Sequence, residues 1–94
     1  MGPAPSVTDR PEQSRFDLEI DGELAGWLEY RPAGDSVILA HTEVMKEQEG
    51  KGLGGTLVRH ALEAARAGGK TVIATCPFAS AYIARHPELE EYLR

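Results

Sequence analysis

The stretch Glu49-Gly50-Lys51-Gly52-Leu53-Gly54-Gly55 decides how the rest of this chain reads. It lies between a strand-like segment, Ser36 to Val44, and a helix-like segment, Gly54 to Ala67. Four glycines within residues 50–55 let the backbone turn tightly and come close to a ligand, because no Cβ stands in the way. The unpaired N–H groups at the start of the following helix then point into the turn, where the helix dipole favours an anion. The stretch is a candidate phosphate cradle. A loop that only reverses the chain is the alternative, at an entropic cost that so many glycines make high.

Two nucleotide motifs fail on spacing. A Walker A loop needs a glycine five positions before its Gly-Lys pair and a Ser or Thr after it. Here Met45 and Gly52 stand in those places. A dinucleotide fingerprint needs G-x-G-x-x-G opening a parallel β-α-β unit. Gly50-Lys51-Gly52-Leu53-Gly54 has a different spacing, and no such unit is expected in so short a chain.

Working outward, residues 1–13 hold three prolines and almost no apolar side chains, which predicts a flexible tail ahead of one domain over 14–94. Arg15 to Ile20 alternates, with Phe16, Leu18 and Ile20 on one face. Asp21-Gly22 is a two-residue hairpin signal. Glu23 to Tyr30 returns as a strand, with Leu24, Gly26, Leu28 and Tyr30 facing one way and Ala25, Trp27 and Glu29 the other. Pro32 to Asp35 reads as a turn before the apolar strand Ser36 to Val44. After the glycines, Leu57, Ala61, Leu62 and Ala65 form a helical stripe that Gly68-Gly69 closes. Thr71 to Thr75 is a β-branched strand. Pro77 suits the first turn of a helix capped at Cys76, and His86-Pro87 ends it. A last turn covers Glu88 to Arg94. The order β-β-β-α-β-α predicts an α+β fold, a mixed and mostly antiparallel sheet with one main helix.

The 94 residues allow one modest core. A formal net charge of −5 argues against non-specific nucleic-acid binding and suits a basic amine. No apolar run is long enough to span a membrane, and no secretory signal pattern opens the chain. The single cysteine fits a reducing compartment, so a cytoplasmic location is expected. No Cys/His cluster has zinc-ligand spacing, and no metal is expected.

Glu49-x-x-Gly52-x-Gly54 resembles the pyrophosphate loop, Q/R-x-x-G-x-G/A, of the GNAT superfamily of acyl-CoA-dependent N-acyltransferases. The resemblance extends through His41-Thr42-Glu43-Val44, Thr75-Cys76-Pro77-Phe78-Ala79 and Arg85-His86-Pro87-Glu88, in the order and spacing of a compact single-domain GNAT subfamily, and covers about residues 15 to 93. It implies a trimmed GNAT fold without the usual pair of helices after the first strand. It also implies acetyl-CoA or coenzyme A as cosubstrate and an unidentified amine, small molecule or protein, as acceptor. By resemblance, Thr42, Glu43 and Val44 pair with the pantetheine arm, while Gly50, Lys51, Gly52, Leu53, Gly54, Gly55 and the Thr56 hydroxyl take the diphosphate. Glu49 departs from the pattern, standing where Arg or Gln is usual, so either Lys51 supplies the cation or Glu49 points outward. A non-catalytic acyl-CoA-binding module is the alternative function. A monomer or weak homodimer is expected, since missing helices leave sheet edge available.

Two residues are candidates for catalysis. Cys76 follows a strand and precedes a helix start, where the dipole favours the thiolate. A cysteine at this position in the compact subfamily is proposed to act in catalysis. The same residue also fits a small buried hydrophobe beside Pro77 and Phe78. His41 is a candidate general base if the two strands bring it near Cys76. It shares the alternation of Val37 and Leu39, which equally suits a hydrogen-bonded core histidine. Tyr82 is placed for packing or for protonating a leaving thiolate.

Overall fold

The computed structural model describes residues 4–94. One sheet of five strands runs in chain order: β1 (Ser6–Arg10), β2 (Arg15–Ile20), β3 (Glu23–Ala33), β4 (Ser36–Val44) and β5 (Thr71–Ala74). The first four are antiparallel neighbours, whereas β5 joins β4 in parallel. A parallel partner cannot be reached by a tight turn; the crossover here carries helix α1 (Leu53–Ala67). A parallel β-α-β unit therefore does form around the glycine loop, contrary to the expectation from chain length, and α2 (Pro77–Ala84) follows β5.

The turns obey the local chemistry. Asp21 and Gly22 both adopt left-handed backbone, at φ 56 and 79, as the hairpin signal predicts. The next turn is tighter than its composition suggests, because Pro32 and Ala33 belong to β3 and only Gly34-Asp35 reverse the chain. Pairing with β2 stops at Glu29, so Pro32 lies where β3 has a strand on one side only, and a missing donor is tolerated there.

The N-terminal reading is corrected by β1. Met1 to Pro3 of the expected tail lie outside the described residues, but Ser6 to Arg10 pairs along its whole length with β2. An edge strand needs little apolar content, since backbone pairing and cross-strand side chains can hold it. Val7 packs against the core, and Arg10 reaches Asp17 at 3.5 Å and Glu19 at 3.6 Å. Arg15 closes on the same buried Asp17 at 2.7 Å, so this carboxylate is held between two guanidinium groups. Tyr30 Oη on β3 donates to Asp9 Oδ1 at 2.6 Å, tying β1 down across β2.

Two bulges break the expected alternation. Leu18 faces Gly26 while Glu19 faces Leu24, so Ala25 has no opposite residue. On β4, Glu29 pairs with His41 and Tyr30 with Leu39, leaving Ala40 as the extra residue. Each bulge shifts the phase by one. Ala25, expected on the face opposite Leu28, is therefore buried in the same core with it.

That core gathers Leu18, Leu28 and Leu39 from the sheet, Leu57, Val58 and Leu62 from α1, Val72 from β5, and Ala79 and Ile83 from α2. Both helices thus pack on one sheet face; the other carries Arg15, Asp17, Trp27 and Glu29, with Arg15 stacked over the Trp27 ring at 5.3 Å. Past α2, a 3-10 segment (Pro87–Tyr92) leads Leu93 into a bridge with Val72 on the outer side of β5, and Arg94 N–H donates to the Val72 carbonyl at 2.9 Å.

The helices meet at glycines. A Cβ at Gly54 would lie 2.5 Å from the Phe78 ring, and one at Gly55 would lie 2.5 Å from the Tyr82 ring. Phe78 is exposed and free to swing aside, whereas Tyr82 is fixed by Arg59 and by a 4.2 Å stack on His86. Gly54→Ala is therefore expected to shift the urea midpoint little, and Gly55→Ala to destabilise by about 1–3 kcal/mol through overpacking. Equal midpoints would show that Tyr82 yields as easily as Phe78.

Tyr30 gives the fold a pH signature. Its phenol is pushed up to about 12, first by burial and then by the hydrogen bond and charge of Asp9. A raised folded pKa favours the protonated phenol in the native state, so its contribution is complete below the unfolded value of about 10 and fades as pH climbs through 12. The stability difference between wild type and Tyr30→Phe should shrink across that interval in urea titrations. A constant difference would mean that the phenol titrates normally.

Candidate functional site

The parallel ladder between β4 and β5 runs only from Ser36–Thr71 to Leu39–Ala74. It ends because one carbonyl takes over: Leu39 C=O accepts the N–H groups of Thr75 (3.2 Å) and Cys76 (3.0 Å) and the Thr75 hydroxyl (3.2 Å). From there β5 passes into α2, while β4, bulged at Ala40, follows β3 out to Val44. The stretch from Ala40 to Val44 consequently has no strand on its β5 side. The two strands make a fork with an open backbone edge.

The glycine loop closes the wide end of this fork. Gly50 and Gly52 hold left-handed backbone, at φ 84 and 75, which is the conformational need that glycine meets here. Gly52 is the N-cap residue of α1 without a side-chain cap, and Thr56 N–H is the first donor to find a helical acceptor, at 3.2 Å on the Gly52 carbonyl. The amides of Leu53, Gly54 and Gly55 precede that first bond and have no acceptor within the helix. A cleft of about 450 Å³ results. Thr42, Glu43 and Val44 form one wall, residues 48–50 and 52–55 of the loop another, and Phe78, Tyr82 and Arg85 of α2 and its C-cap the third.

Most of the candidate binding residues therefore share one cleft: Thr42, Glu43, Val44, Gly50, Gly52, Leu53, Gly54 and Gly55. Two do not line it. Lys51 Nζ donates to Gln48 Oε1 at 2.8 Å, and the Thr56 hydroxyl donates to the Gly52 carbonyl at 3.2 Å. The four glycines also divide their work. Only Gly50 and Gly52 bend the chain; Gly54 and Gly55 admit the Phe78 and Tyr82 rings, so the close approach at the helix start is made by aromatic side chains.

Cys76 and His41 are kept apart. Cys76 is 2% exposed, with Sγ 3.5 Å from Thr42 Oγ1 on the helix side of the sheet. The Ala40 bulge breaks the alternation that would group His41 with Leu39. Leu39 is fully buried and His41 emerges on the open face, where Nε2 meets Glu43 Oε1 at 2.8 Å. An ionised carboxylate only accepts, so Nε2 is the donor in this pair, and in the neutral ring Nδ1 carries the lone pair. Glu43 is both a partner of His41 and part of the cleft wall.

Tyr82 accepts a hydrogen bond from Arg59 Nε at 2.8 Å, beneath a guanidinium 5.6 Å from its ring centre. That bond, ahead of Glu88 at 3.3 Å, raises the Arg59 pKa further. Gln48, Phe78 and Arg85 are the cleft residues to which the motif reading gave no role; for the two on α2 and its C-cap a signal existed. The signal was helical spacing, since positions 78, 82 and 85 fall on one face of a helix. Among the described residues, no helix is long and apolar enough to cross a membrane, and no group of three His, Cys, Asp or Glu side chains is placed to hold a metal.

No curated protein matches the chain. Among solved structures, a GCN5-like protein of Staphylococcus aureus determined by NMR has a TM-score of 0.74 at 21% identity, covering 95% of this chain and 87% of that one. N-acetylglutamate synthase from Neisseria gonorrhoeae, crystallised with coenzyme A and L-arginine, gives 0.65 at 24% identity over 77% of this chain and 18% of its own. PaiA N-acetyltransferase from Thermoplasma acidophilum, in complex with coenzyme A, gives 0.64 at 16% identity over 77% of this chain and 48% of its own. At these identities the likeness is one of fold. Residues 15–92, which include β2 to β5, both helices and the whole cleft, match the family described as GCN5-related N-acetyl-transferase. The chain belongs to the GCN5-related N-acetyltransferase family.

Proposed function

We propose that this protein transfers an acyl group, acetyl in the simplest case, from acyl-CoA to an amine. The observation that carries the proposal is the fork itself: an unpaired β4 edge leading directly to a ring of unpaired amides at the start of α1. An extended backbone edge suits the amide-bearing pantetheine arm, and converging N–H donors suit a diphosphate. The residues present fit that ligand. Thr42 to Val44 would hold the arm, and the amides from Gly50 to Gly55 the phosphates. When bound, acetyl-CoA supplies a thioester carbonyl as electrophile.

The amine nitrogen forms a bond to the acyl carbon, the bond to sulfur breaks, and a proton must leave the nitrogen. His41 is the candidate to take it from the open face of β4, with Glu43, which lines the cleft, fixing the ring and balancing the imidazolium that forms. Cys76 is buried on the helix side with its thiol directed at Thr42, which favours direct transfer over an acyl-cysteine intermediate. One observation favours a second reading, a module that binds acyl-CoA without turnover: the separation of His41 from Cys76 leaves no paired base and nucleophile.

Calorimetric titration with acetyl-CoA should show saturable binding that Gly52→Glu removes while its circular dichroism stays native. Release of free CoA in the presence of an amine panel should fall by about 10²–10⁴-fold in His41→Ala with CoA affinity unchanged. Cys76→Ala should keep turnover; its loss with intact CoA binding would place the thiol in the mechanism. Binding without turnover for any amine would leave the second reading.

A further inference from the structure

The cleft walls present two carboxylates, Glu43 and Glu49, and one basic side chain, Arg85. The side-chain charges by themselves do not favour a diphosphate, since the carboxylate at the loop repels it and opposes the backbone amides. The other nearby cations are engaged elsewhere. Lys51 is drawn onto Gln48 and does not line the cleft, and Arg59 is held by Tyr82 and Glu88. Arg85 is the C-cap residue of α2, its N–H bonded to the Ala81 and Tyr82 carbonyls, while its side chain is exposed and lines the cleft. Among the described residues it makes no ion pair within 4.0 Å, in contrast to Arg10, Arg15, Arg59 and Arg66. A basic residue at a helix C-terminus also complements the dipole, but the dipole does not require the side chain to share a face with Phe78 and Tyr82 or to line the cleft opposite Glu49.

We infer that Arg85 is the cation that meets the diphosphate of CoA in this chain, serving from the end of α2 the role that Glu49 cannot serve from the loop. The inference rests on the acyl-CoA reading above. A guanidinium suits it, because its planar fork binds phosphate oxygens in pairs and stays charged at any working pH. Glu49 and Arg85 then act as opposing terms at one anion site, the first weakening binding and the second sustaining it.

The test is calorimetric binding of CoA and of 3′-dephospho-CoA to wild type, Arg85→Gln, Glu49→Gln and the double variant Arg85→Gln/Glu49→Arg. Arg85→Gln is expected to weaken both ligands alike, by about tenfold or more. Glu49→Gln should tighten both. The double variant should recover most of the loss, which a merely structural defect would not allow. Arg85→Gln binding within twofold of wild type overturns the inference, and so does a loss confined to CoA, which would put the guanidinium on the 3′-phosphate. Wild type failing to bind either ligand is a different result: it overturns the acyl-CoA reading itself, and this inference with it.

Discussion

Three donors converging on the Leu39 carbonyl are the constraint on which the rest depends. A backbone acceptor that takes the N–H groups of two successive residues stops a parallel ladder from advancing. The chain after Ala74 is turned away into α2, and β4 is left to continue alone with β3. Without that stop, further ladder bonds would close the fork, and the edge at Ala40 to Val44 would be an ordinary inner strand. The bulge at Ala40 works with it, setting Thr42 toward the helices and His41 toward the open face. Backbone geometry thus decides which side chains can share chemistry.

The mouth of the fork is built by mutual accommodation between two helices. Gly54 and Gly55 give up side chains at the start of α1 so that Phe78 and Tyr82 can rest there. Those rings then line the cleft beside the first turn of α1, and Arg85 arrives three residues after Tyr82 on the same helical face. Packing and electrostatics are not separable here. The small residues that look like a ligand's approach path also position the helix that brings the positive charge.

Much of this was legible in the residues. The Asp21-Gly22 turn, the stripe of Leu57, Ala61, Leu62 and Ala65, the strand ending at Val44 and the Pro77 helix start each follow from local rules that the structure respects. The glycine loop located the cleft. Three features were hidden for physical reasons. Neither Ala25 nor Ala40 carries any signature of a bulge, because alanine is at home on either face of a strand. The strand over Ser6 to Arg10 is held by backbone pairing and by partners, Asp17 and Tyr30, distant in sequence, so its own composition reads as a tail. The third was the share of α2 in the cleft, which depends on how the helix is rotated over Gly54 and Gly55.

The bridge between Val72 and Leu93 has a bearing on assembly. It lays the C-terminal residues along the outer side of β5, so that margin of the sheet is already partly occupied by the same chain. The opposite margin is β1, five residues long and bracketed by Pro5 and Pro11. Among the described residues β1 is the outer margin open to strand addition, and a strand this short, bounded by prolines, offers few backbone groups to a neighbour.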